Sequence, residues 1–149
     1  MTEVSFYHLT RQGLPQALPL LLMRVLESGL RAVVLAGSEE RVEVLVQALW
    51  TFDQDSFLPH GSKQDGYSDR QPVYLTAEEE NPNDATILLL VDGGAPAFLN
   101  RFDRCLDLFD GRDEAAVEAA RDRWRQNSAA GHDVKYWQQT EQGGWQQQA

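Results

Sequence analysis

Cysteine is nearly missing from this sequence: Cys105 is the only one in 149 residues, so no internal disulfide holds the fold and nothing calls for an oxidising compartment. Long apolar runs are missing too. The longest near the amino end, Leu18 to Met23, contains Pro19 and is closed by Arg24, far short of the roughly 20 residues that span a bilayer. No basic and then apolar leader precedes it, so the expectation is a cytoplasmic protein with no membrane partner. Positive charge is scarce: 13 Lys and Arg stand against 23 Asp and Glu, a formal charge of −10. That argues against a basic groove neutralising many phosphates, so any contact with DNA is expected to be mainly indirect.

Hydrophobic residues make up 42% and aromatics 9%, enough for one packed domain. Val4 to Leu9 reads as a strand. A helix opens near Pro15, carries Leu18, Leu21, Leu22, Val25 and Leu26 on one stripe and stops at Gly29. Arg31 to Ala36 is a continuous apolar run, the mark of a strand covered on both faces. Ser38 caps a second helix from Glu39 to about Trp50. Pro72–Thr76, Thr86–Val91 and Cys105–Phe109 read as further strands, with a short helix around Pro96 to Arg101. A last helix runs from Arg112 to about Ala129, stops at Gly131, and leads to an edge strand at Val134–Trp137. Residues 1–137 therefore form a single α/β domain, a mostly parallel sheet with helices on both faces. Residues 138–149, with six Gln and two Gly, form a tail expected to fray.

Such a sheet invites a nucleotide, but the fingerprint is absent. The turn Ala36-Gly37-Ser38-Glu39-Glu40 has one glycine and then two carboxylates where phosphates would sit, and no GxxxxGK[ST] exists. Asp92, at the end of an apolar strand and followed by Gly93-Gly94, keeps open an alternative reading as a nucleotide-binding domain or enzyme. His8, His60 and His132 lie on different elements without metal-ligand spacing, and Cys105 sits in an apolar strand. No catalytic residue, metal or cofactor is expected.

Two patches stand out instead. In Arg121-Asp122-Arg123-Trp124-Arg125 three arginines and an indole fall within five residues. Helical spacing puts Arg121 and Arg125 one turn apart with Trp124 between them. Guanidinium forks flanking an indole suit an acidic peptide that ends in an aromatic residue and a free carboxylate. The pattern equally allows a solvated face with Trp124 turned to the core beside Val117 and Ala120, or weak direct DNA contact through Arg121, Arg123 and Arg125. The second patch gathers Trp50, Phe52, Phe57 and Pro59 at the end of the second helix, as a sheet plug or a partner surface.

The chain resembles the chi subunits of bacterial DNA polymerase III. Phe6-Tyr7-His8-Leu9, Ala48-Leu49-Trp50-Thr51-Phe52, Ser56 to Gly61, Gln71-Pro72-Val73, Leu108-Phe109-Asp110-Gly111, Ala120 to Trp124 and Gly131-His132 carry the resemblance in order. It implies a Rossmann-like domain without nucleotide, a noncatalytic subunit in the clamp-loader assembly of a DNA-directed DNA polymerase. Such a subunit links the holoenzyme to single-stranded-DNA-binding protein by gripping that protein's acidic C-terminal tail, which ends in Pro-Phe. On this reading Arg121, Trp124 and Arg125 bind the tail. Val117 stands where some members carry a further lysine. Trp50, Phe52, Phe57 and Pro59 then resemble the surface that receives the psi subunit or a helicase.

Overall fold

The computed structural model describes residues 2–11, 13–51, 59–142 and 144–148. Strand β1 (Glu3–Leu9) leads into helix α1 (Leu14–Glu27), β2 (Ala32–Leu35) and α2 (Glu39–Thr51). Strands β3 (Val73–Thr76), β4 (Ile87–Leu90) and β5 (Arg104–Asp110) follow, then α3 (Glu114–Ala129), β6 (Asp133–Gln139) and β7 (Trp145–Gln147). Short 3-10 turns at Ser68–Arg70 and Ala97–Arg101 complete the described elements.

Local chemistry sets the helix ends. Pro15 occupies the first turn of α1, and Pro19 lies one turn further in, where its missing N–H removes only one bond. Ser38 Oγ accepts from Arg41 N at 3.1 Å, and Glu39 and Glu40 fill the first turn of α2. α3 begins two residues later than its sequence pattern suggests because Asp113 caps it, accepting from Ala115 N and Ala116 N. Gly131, at φ +87°, takes the left-handed conformation that ends it, and the amide of His132 returns to the carbonyl of Asn127.

The seven strands form one sheet in the order β3-β2-β4-β5-β1-β6-β7. All neighbours are parallel except β6 and β7, which run antiparallel. The α/β architecture expected from the pattern is therefore present. At the carboxyl end β6 is not the expected edge strand, and the Gln-rich segment carries the end of β6 and all of β7. The reason is aromatic. Tyr7 stacks on Trp137 at 6.4 Å and takes the Trp145 ring edge-on at 4.9 Å, so indoles hold the last strand down.

Strand alternation divides the apolar residues between two cores. On one face Val34, Leu89, Leu106 and Leu108 meet Leu18 and Leu22 of α1 and Leu45 and Leu49 of α2. On the other, Val4, Phe6, Val33, Leu88 and Phe109 meet Phe98 and Phe102 near the second 3-10 turn and Ala120 of α3, with Trp124 and Tyr136 at the margin. Among the described residues, no helix is long and apolar enough to cross a membrane.

Candidate functional site

Helix α3 crosses β5, β1 and β6 with a hollow on each flank. The larger hollow, about 460 Å³, opens at the carboxyl ends of β1, β4 and β5. The chain leaves the adjacent strands β1 and β5 toward opposite faces there, which is where open α/β sheets usually place ligands. Its three arginines are engaged: Arg41 meets Asp92 at 3.1 Å, Arg112 meets Asp110 at 3.1 Å, and Arg123 meets Asp107 at 2.6 Å. Asp92 also accepts from Gly37 N at 2.8 Å, so a carboxylate occupies the turn where a phosphate would need donors. Chemically this is a set of satisfied ion pairs.

The smaller hollow, about 340 Å³, has the opposite character. Phe109 of β5, Tyr136 of β6 and Val117, Ala120 and Trp124 of α3 line it with apolar surface, and Arg121 and Arg125 stand at its rim. The Trp124 ring packs on Phe6 at 5.6 Å and meets Tyr136 edge-on at 6.1 Å. Its two sequence readings thus merge, since one part of the half-buried indole joins the core while another lines the hollow. Among the described residues, Arg121 and Arg125 are held only by exposed partners one turn back, Glu118 at 3.1 Å and Asp122 at 2.8 Å. Pairs so exposed contribute little and exchange easily for another carboxylate.

The structure therefore brings Arg121, Trp124 and Arg125 together around one cavity. It separates Arg123 from them. That guanidinium turns under the helix onto Asp107, which corrects the reading of three arginines offered jointly to DNA.

Two side chains of the site escaped the sequence reading as site residues. Tyr136 was visible only as part of the alternation that puts Val134 and Tyr136 on the α3 side and Trp137 on the other. Phe109 looked like an ordinary strand residue. Behind them, Tyr136 hydrogen-bonds Nδ1 of His8. Burial lowers the His8 pKa, the backbone of Gly111 raises it, Arg121 lowers it and Asp110 raises it. Burial raises the Tyr136 phenol, and the Arg121 charge opposes that.

The second patch lies on the opposite face of the sheet, because α2 packs there. Trp50 is 50% exposed at the end of α2, its ring 4.6 Å from that of His60, and Pro59 is half-buried. Phe52 and Phe57 lie outside the described residues. Cys105 is buried, and burial pushes its thiol well above the usual range. His132 accepts from Thr2 N at 3.1 Å. Among the described residues no cluster of three His, Cys, Asp or Glu is placed to hold a metal ion.

Residues 1–135 match the family described as DNA polymerase III chi subunit, HolC. The chain is also similar to a Rickettsia prowazekii (strain Madrid E) protein named "Probable DNA polymerase III subunit chi", 34% identical over 91 residues. That alignment covers 61% of this chain and 55% of the relative, so the match spans about half the relative's length.

Proposed function

Because the chain belongs to the DNA polymerase III chi subunit family, we propose that it is a noncatalytic accessory subunit that ties the replicative polymerase to single-stranded-DNA-binding protein. The docking element is the cavity beside α3. An aromatic side chain at the end of an acidic tail enters between Phe109, Trp124 and Tyr136. The terminal carboxylate and the acidic residues before it exchange with Glu118 and Asp122 for Arg121 and Arg125.

One observation carries this reading: an apolar hollow is rimmed by two exposed guanidiniums in a chain whose charge is −10. Residues 1–100 hold 6 basic and 14 acidic side chains, and residues 101–149 hold 7 and 9, so an acidic peptide is repelled broadly and attracted locally. Trp50 and Pro59 on the other face serve a second contact, toward a psi subunit, another clamp-loader component or a helicase, in which Phe52 and Phe57 take part. DNA is then reached mainly through partners, in the cytoplasm. The Asp92 to Gly94 turn, its carboxylate already engaged with Gly37 and Arg41, has no observation to favour it as a nucleotide site.

The test is a pull-down with full-length and tail-deleted single-stranded-DNA-binding protein. Capture of the full-length form alone is expected, and equal capture of both forms defeats the proposal.

A further inference from the structure

Tyr136 carries no charge and belongs to no motif, yet it forms a wall of the α3 cavity and its hydroxyl is bonded to His8 on β1. The His8 ring stands edge-on to Tyr136, centroids 5.8 Å apart, and tilts over Phe109 at 5.0 Å. Gly111 closes the arrangement. A Cβ there would lie 1.9 Å from His8 Cδ2 and 2.8 Å from the Leu9 carbonyl, so only glycine lets the ring sit where it does.

The direction of the His8–Tyr136 bond is set by where the imidazole carries its proton. A neutral imidazole has one N–H. Carried on Nε2, beside the Gly111 backbone, it leaves Nδ1 as an acceptor, and the phenol donates to it. The Tyr136 oxygen then offers the cavity only lone pairs, which face a carboxylate badly. A protonated imidazole has a second N–H, at Nδ1; it donates to the phenol oxygen and releases the Tyr136 O–H toward the cavity.

We propose that Tyr136 is a further contact for the terminal carboxylate of a docked acidic peptide, and that protonation of His8 frees its O–H from Nδ1 to donate into the cavity. The inference rests on the tail-docking reading of the cavity. Arg121 and Tyr136 line the same hollow, so a carboxylate held by Arg121 sits in the cavity that Tyr136 walls.

The charged groups facing His8 fix the sign. Asp110 at the end of β5, itself paired with Arg112, favours the imidazolium. Arg121 of α3 opposes it, and Tyr136 of β6 stays neutral because burial raises its phenol. In the free chain burial favours the neutral ring. A bound carboxylate offsets Arg121 and accepts from Tyr136, so it raises the His8 pKa. By linkage, peptide affinity rises as pH falls through that interval.

The experiment is an anisotropy titration of the full chain with a labelled acidic peptide ending in Pro-Phe and a free carboxylate. It is run at about pH 8 and about pH 5.5, both above the ordinary carboxylate range. The wild type is expected to bind about fivefold more tightly at the lower pH. His8→Gln should bind with no such gain. Tyr136→Phe, which keeps the ring, should lose the gain and bind about threefold or more weakly at the lower pH. In proton spectra of the wild type, peptide should move the His8 titration upward. An equal pH gain in His8→Gln, a Tyr136→Phe curve like that of the wild type, or an unmoved His8 titration overturns this inference and leaves tail docking standing. Absence of wild-type binding at both pH values overturns tail docking and this inference with it.

Discussion

Arg123 grips Asp107 with two hydrogen bonds, Nε to Oδ2 at 2.6 Å and Nη2 to Oδ1 at 2.9 Å, beneath the helix that lines the apolar cavity. The carboxylate is 1% exposed and the guanidinium 11%. Burial pushes the Asp107 carboxyl upward and Arg123 pulls it back. The fork fixes the rotation of α3 on β5, and that rotation turns Trp124 toward Tyr136 and leaves Arg121 and Arg125 at the rim.

Asp107→Ala strands a buried guanidinium, and the expected loss of stability is about 3–5 kcal/mol. Urea denaturation reads it as a lower midpoint with an unchanged slope. Asp107→Leu combined with Arg123→Met should recover most of the loss, because no unpaired charge remains. A double variant as unstable as the single one would show that the pair is not what holds the helix.

Arg121→Ala and Arg125→Ala should separate binding from folding. Both side chains are more than half exposed, so stability should change by about 0.5 kcal/mol or less. Affinity for an acidic Pro-Phe-ended peptide should fall by about 1–3 kcal/mol, and added salt should weaken the wild type in the same direction. Calorimetric titration at low salt decides it, and curves that match the wild type would remove α3 from the binding site.

Trp50→Ala should leave the peptide titration untouched, since α2 and α3 lie on opposite faces of the sheet. Co-purification with clamp-loader components should drop. A folded variant that loses both activities would show that the two faces are coupled.

Cys105 should resist thiol reagents in the native chain. Its side chain is 0% exposed and burial raises its pKa, so the reactive thiolate is scarce and covered. Labelling that tracks global unfolding across a urea series is the expected result. Fast labelling in buffer would reveal a local opening of β5.

What the sequence disclosed was governed by range along the chain. Helix limits rest on neighbours: Pro15, Ser38 and Gly131 act within a turn of themselves, and the guanidinium flank of α3 follows from spacings of three and four. Tyr136 became a site residue only when β6 lay beside β1, which joins it to His8, 128 residues away. Arg123 differs from Arg121 and Arg125 only through Asp107 on another element. β7 depended on Tyr7 meeting Trp145, a pairing that a run of glutamines hides.

Strand order also sets a schedule for assembly. β2, β3 and β4 pair among themselves, whereas β1 finds both its partners in β5 and β6, in the last third of the chain. Closing that long loop is slow and entropically costly, so the β1 half of the sheet completes late. Phe109, α3 and Tyr136 all belong to that half. An unfinished chain thus lacks the apolar cavity beside α3, which arrives together with the last native strand pairing.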